Sequence, residues 1–197
     1  MKLNWAERWV VNNPLRVVEQ RIELRKLSRM RPLEPGFTAL EIGCGRGAGA
    51  GLILDTFLPS LLYATDLDVA MLKKAGKYIS SDKKEHIAFV AADGFRLPFR
   101  TGSLDAVFDF GVLHHIPDWQ SALGEVARVL KTQGSFLFEE LYPTLYQNFI
   151  TKHILLHPKE DRFRSQDLRK GLEAAGLSLH RYGEWRGFGI LGVALKL

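Results

Sequence analysis

The stretch that most constrains this chain is Ala39-Leu40-Glu41-Ile42-Gly43-Cys44-Gly45-Arg46-Gly47-Ala48-Gly49. An apolar run from Phe37 to Ile42 carries one acid and then dissolves into alternating glycines. Leu52, Ile53, Leu54, Phe57 and Leu58 follow at helical spacing. The pattern predicts a strand, a tight glycine turn and the start of a helix. Glycine suits such a turn because a side chain blocks close approach of the backbone to a ligand, and some turn positions need φ > 0. The helix behind the turn offers unpaired N–H groups to a bound group. Gly43, Gly45 and Ala48 also satisfy the dinucleotide pattern G-x-G-x-x-G/A. The turn alone therefore leaves the ligand open, and a turn that serves packing only is the bland alternative.

The rest of the chain repeats strand and helix at short intervals. Strands are expected at about 37–43, 61–65, 87–91, 104–110 and 134–141, and helices at about 48–57, 69–80 and 118–130. Ser165 is the expected cap of a further helix over 166–175. Two final strands, about 177–184 and 187–196, have only a turn between them. This alternation predicts a doubly wound, Rossmann-like α/β fold with helices on both faces. Its seven-stranded sheet is mostly parallel and ends in an antiparallel C-terminal hairpin, with the last strand beside the fifth. The 197 residues suit a single domain. Its expected parts are a basic helical cap (1–35), a ligand-binding core (36–141), an insertion or lid (142–164) and a C-terminal helix and hairpin (165–197).

Charge separates the cap from the core. Residues 1–31 hold eight Lys/Arg against three Asp/Glu, so the net charge of +5 resides in that segment, and residues 32–197 balance to zero. Asn13 and Pro14 form an N-cap and N1 pair. The apolar positions that follow form no single stripe. A nucleic-acid enzyme carries its positive charge along the binding face, so nucleic acid is not an expected partner. The basic helix is expected to be a packed element, a lid, or a weak peripheral contact with an anionic membrane surface. With no apolar run near the ~20 residues needed to span a bilayer and no signal-peptide core, the expected location is the cytoplasm. The lone cysteine, Cys44, excludes an internal disulfide. It is read as a small turn residue rather than a nucleophile.

In an open α/β sheet, ligands sit at the carboxyl ends of strands. Strand one brings Glu41 and the glycines there, strand two Asp66, strand three Asp93 and Gly94, and strand four Gly111, Val112, Leu113, His114 and His115. Asp66, nineteen residues beyond Gly47, is placed to accept from a ribose diol. A short-chain nicotinamide reductase needs Tyr-x-x-x-Lys, and none of the five tyrosines has Lys four residues on. An adenine-amino methylase motif is absent after strand four, and no Pro-Cys nucleophile is present.

Glu41-Ile42-Gly43-Cys44-Gly45-Arg46-Gly47, Thr65-Asp66-Leu67-Asp68, Ala92-Asp93-Gly94-Phe95-Arg96-Leu97-Pro98-Phe99, Leu104-Asp105-Ala106-Val107, Val112-Leu113-His114-His115-Ile116, Arg128-Val129-Leu130-Lys131 and Gly134 occur in one order and spacing. In these the chain resembles the class I S-adenosylmethionine-dependent methyltransferases, in their small-molecule, type 11-like branch. The resemblance implies an enzyme that binds S-adenosyl-L-methionine and transfers its methyl group to a small acceptor. It implies Gly43, Cys44, Gly45 and Gly47 at the methionine part, Glu41 at the cofactor's amino end, and Asp66 at the ribose. Leu67, Asp93 and Gly94 are implied at the adenine, and Gly111, Val112 and Leu113 at the sulfonium. His115, and less strongly His114, are candidate bases, with His153 and His157 weaker ones. No metal is expected. Tyr142, Tyr146, Phe149, Ile154, Leu155 and Leu156 suggest an apolar wall, hence an apolar or aromatic acceptor. A non-catalytic protein that keeps the same pocket is the alternative, and an NAD-dependent reductase a weaker one. Neither the acceptor nor the oligomeric state is legible.

Overall fold

The computed structural model describes residues 13–146, 162–185 and 187–197. Asn13 caps the first helix, α1 (Pro14–Met30), its side chain accepting from the Leu15 N–H at 3.0 Å. The chain then alternates through β1 (Thr38–Ile42), α2 (Ala48–Phe57), β2 (Leu61–Asp66), α3 (Val69–Tyr78), β3 (Ile87–Ala91) and β4 (Leu104–Phe110). A single 3-10 turn, Leu113–His115, leads into α4 (Trp119–Val129) and β5 (Leu130–Leu141). After the short α5 (Pro143–Tyr146) come α6 (Ser165–Ala174), β6 (Leu177–Trp185) and β7 (Gly189–Lys196).

The seven strands lie in the order β3-β2-β1-β4-β5-β7-β6. The first five are parallel, and β7 enters antiparallel between β5 and β6. The expected insertion of the last strand beside the fifth is what the sheet contains. Two boundaries differ from expectation. β5 begins at Leu130 rather than 134, because Leu130 already pairs with Leu104 ahead of a register shift. Ser165 is the first helical residue of α6, not its cap: Arg164 holds the cap position, and its N–H donates to the Asp167 carboxylate at 3.0 Å.

Each sheet face buries its own apolar core. One lies under α1, α2 and α3, with Leu24, Leu27, Ile53, Leu62 and Phe108 fully enclosed. The other lies under α4 and α6, around Leu123, Val126, Phe136, Phe138 and Leu168. Tyr142 is buried in this second core, and its hydroxyl donates to Glu184 at 3.1 Å. It therefore supports the sheet end rather than a pocket wall. Phe149, Ile154, Leu155 and Leu156 of the expected wall, with His153 and His157, lie outside the described residues, and so do Trp5 and Trp9. Nothing is described of the Tyr146 side chain.

The missing stripe of α1 has a physical reason. At 3.6 residues per turn, Val17, Leu24 and Leu27 fall on the face packed against the first core, while Leu15, Val18 and Ile22 fall on the opposite face and are exposed. Apolar residues on both sides cancel the amphipathic signal. Asp105 holds the opposite end of the sheet from the strand carboxyl ends. It accepts from the Thr38 N–H at 2.9 Å at the start of β1 and from Lys131 Nζ at 2.6 Å at the start of β5. Replacing it with Ala removes both partners. The expected loss is about 1–2 kcal/mol, seen as a drop of several degrees in melting temperature with cofactor affinity unchanged.

Candidate functional site

The carboxyl ends of β1, β2 and β4 open onto a cavity of about 180 Å³. Its first wall is the turn after β1, where Gly43, Cys44 and Gly45 line the space. Gly43 has φ +67, and a Cβ there would stand 2.5 Å from Val112 Cγ2. The two loops thus close on each other only because position 43 lacks a side chain. Gly47 does not line the cavity. It is the N-cap of α2 and packs against Ala75 of α3.

Glu41 lies beneath this turn, 2% exposed. Its Oε1 fills the space that a side chain at Gly49 would take, in the first turn of α2. Its Oε2 is buried with no hydrogen-bond partner among the described residues. Burial, with Asp66 and Asp109 nearby, pushes its pKa up to about 8. Glu41 itself does not line the cavity, whereas Gly49 directly above it and Gln20 do.

Asp66 ends β2 and lines the cavity. Its two oxygens accept from the Gly45 N–H at 2.9 Å and the Asp68 N–H at 2.8 Å. It therefore ties the glycine turn to the β2 turn and keeps one lone pair per oxygen for a ligand. Burial raises its pKa, with those two N–H groups opposing. Leu67, 43% exposed, and Asp93 and Gly94 line the same side. Cys44 is an unlinked thiol, and burial pushes its pKa up, so it is no thiolate nucleophile.

The third wall is the turn after β4, held by the β5 backbone and by two acids at the strand ends. The Gly111 N–H donates to the Glu139 carbonyl at 2.8 Å and the Val112 N–H to Asp109 Oδ1 at 3.0 Å. Glu140 accepts from the Leu113 N–H at 2.7 Å and from His114 Nδ1 at 2.7 Å. Burial raises the Asp109 and Glu140 carboxyls, Glu140 to about 8. The turn presents Gly111, Val112 and His115 to the cavity. It does not present the other two residues: Leu113 is buried in the second core, and His114 is 8% exposed and held by Glu140. Of the histidine pair, His115 alone stands at the cavity.

Sequence reasoning missed the contribution of α1. Arg16 and Gln20 line the cavity beside the glycine turn. Arg16 donates to Glu139 Oε2 at 2.7 Å and to Glu23 Oε1 at 2.9 Å. Burial opposes its charge, yet Glu139 and Glu23 hold its pKa above the ordinary value. Burial and the Glu139 charge move Glu23 up to about 7. One signal was available: Arg16 and Gln20 are four residues apart on the same face as Leu24 and Leu27.

The buried acids bear on stability. Glu41 and Glu140 bind protons in the folded state up to about pH 8, whereas in the unfolded chain they ionise near 4.5. Between those values the folded state holds more protons, so their contribution falls as pH rises. The melting temperature of the ligand-free protein is expected to fall from pH 6 to 8.5. Glu41→Gln is expected to flatten that fall and to melt higher than the parent at pH 8.5, by thermal denaturation followed by circular dichroism.

The family model described as a methyltransferase domain matches residues 40–138. The chain is 34% identical over 112 residues to a fatty-acid O-methyltransferase of Mycolicibacterium smegmatis, covering 55% of this chain and 38% of that protein. It is 30% identical over 118 residues to a sterol 24-C-methyltransferase of Gibberella zeae, covering 59% and 31%. It thus spans about a third to two-fifths of the length of the curated relatives it matches. Among solved structures, a SAM-dependent methyltransferase of Aquifex aeolicus superposes over 100% of both chains with a TM-score of 0.78 at 17% identity, a likeness of fold.

Proposed function

The chain belongs to the methyltransferase domain family, in its class I S-adenosylmethionine-dependent branch, and from that premise we propose that it transfers a methyl group from this cofactor to a small, apolar or aromatic acceptor. The observation that carries the reading is Glu41, a buried carboxyl with one oxygen unpartnered among the described residues, facing the first turn of α2. The cofactor carries a sulfonium and an ammonium beside one carboxylate, and its net positive charge suits acids beneath and beside the glycine turn. The same acids disfavour the pyrophosphate of a nicotinamide dinucleotide.

In this reading Glu41 receives the ammonium end, while Gly43, Cys44 and Gly45 let the backbone approach the methionine part. Asp66 accepts from the ribose hydroxyls, Leu67 lies against the adenine, and Asp93 and Gly94 take its polar edge. When bound, S-adenosylmethionine supplies a methyl group activated by the sulfonium. The chain's own work is then orientation and exclusion of water. Gly111 and Val112, pinned through Glu139 and Asp109, fix the wall on the methyl side. Ile42, Phe110 and Ile116 make that end of the cavity apolar, which supports an apolar acceptor, as do the fatty-acid and sterol methyltransferases among the relatives. His115 is the group placed to take a proton on a ring nitrogen from an oxygen or nitrogen acceptor.

Two experiments bear on this. Asp66→Asn keeps the shape of the side chain and removes its charge. Charge-assisted hydrogen bonds contribute roughly 1.5–3 kcal/mol each, so affinity for S-adenosylmethionine by calorimetry is expected to drop at least ~10-fold. Unchanged affinity in the folded variant overturns the ribose assignment. A methyl-transfer screen against metabolite pools with labelled cofactor should yield labelled products in apolar fractions, with His115→Ala slowing transfer by ~100-fold or more at similar cofactor affinity. Label confined to polar products overturns the acceptor class.

A further inference from the structure

The two faces of α1 do different things. The inner face carries Leu24 and Leu27 into the core and Arg16 and Gln20 to the cavity. The outer face exposes Leu15 (69%), Val18 (56%) and Ile22 (48%) along its first half. Arg25, Lys26 and Arg29 continue the same arc toward the C-terminus, with Arg21 at its edge, all exposed. Arg21, Arg25 and Arg29 form no ion pair among the described residues, whereas Lys26 Nζ lies 5.5 Å from the ring centroid of Trp185. That contact joins the helix to the edge strand β6, where Trp185 is 46% exposed. Arg181, four residues before Trp185, shares its face of the strand and is also exposed. The one acid on the arc, Glu19, lies 3.5 Å from Arg16.

We propose that the outer face of α1, continued by Arg181 and Trp185, docks the protein on an anionic lipid surface. Aliphatics, a tryptophan and a row of uncompensated cations on one face match the boundary between acyl chains and anionic headgroups. The aliphatics have no counterpart in a nucleic-acid backbone, which argues against that polyanion. A covering second copy would bring the same cations face to face. Leu15, Val18 and Ile22 stand on the same turns as Arg16 and Gln20, so the docked face lies beside the cavity wall. The inference goes beyond the methyl-transfer reading, and it stands or falls separately from it.

The test is flotation of the full chain with vesicles of phosphatidylcholine, with and without phosphatidylglycerol. Binding is expected to the anionic vesicles only and to weaken with salt. Arg25→Gln/Lys26→Gln/Arg29→Gln is expected to lower partitioning roughly 100-fold, about fivefold for each cation. Val18→Ser/Ile22→Ser, with the cations intact, is also expected to weaken binding. Both variants should retain cofactor binding by calorimetry, which reports that they are folded. Failure of the parent chain to float with anionic vesicles, equal binding to neutral ones, or unchanged binding by the triple variant overturns the proposal. So does a concentration-dependent dimer that the serine variant abolishes, because the face then belongs to a second copy. Loss of cofactor binding by the parent chain itself counts against the methyl-transfer reading and leaves this one intact.

Discussion

The site depends on a row of buried carboxyl groups at the strand ends: Glu41 on β1, Asp109 on β4, and Glu139 and Glu140 on β5. Buried acids are costly unless they are partnered or protonated. Here two of the four serve as acceptors for the amides of the turn above. Asp109 and Glu140 take the N–H groups of Val112 and Leu113, and Glu139 takes the guanidinium of Arg16. The strand ends therefore shape the loops directly. A turn of five residues that would otherwise fluctuate is pinned from below, and the cavity inherits its outline from that pinning.

Like Asp109, Glu41 keeps one oxygen with no hydrogen-bond partner among the described residues. Its burial and its raised pKa mark an electrostatic cost carried in the ligand-free state. Asp66, at the end of the second strand, ties the glycine turn in place and lines the cavity at once.

Arg16 links this floor to the periphery. Its ion pair with Glu139 ties the first half of α1 to the end of β5, and Glu23 on the same helix holds the guanidinium from the other side. Together with burial of Leu24 and Leu27, that contact sets both the cavity wall and the exposed basic face. Part of the N-terminal positive charge is spent inside the protein, and Arg21, Arg25, Lys26 and Arg29 carry what remains at the surface.

The sequence alone determined the order of elements, the strand pairing that places β7 beside β5, and the loops that line the cavity. These follow from local rules: apolar periodicity, glycine where the backbone turns, and acids at strand ends. The roles of His114 and Leu113 were not legible, because adjacent residues on a 3-10 turn point in different directions and only packing against Glu140 and the second core decides which reach the cavity. Nor was the entry of Arg16 and Gln20 into the site, since Glu139, the partner of Arg16, is more than a hundred residues away. Tyr142 read as a pocket wall and is a core residue, because aromatic composition does not say which surface the ring meets. Local chemistry set which backbone conformations were available; long-range packing and burial of charge decided which side chains share the cavity.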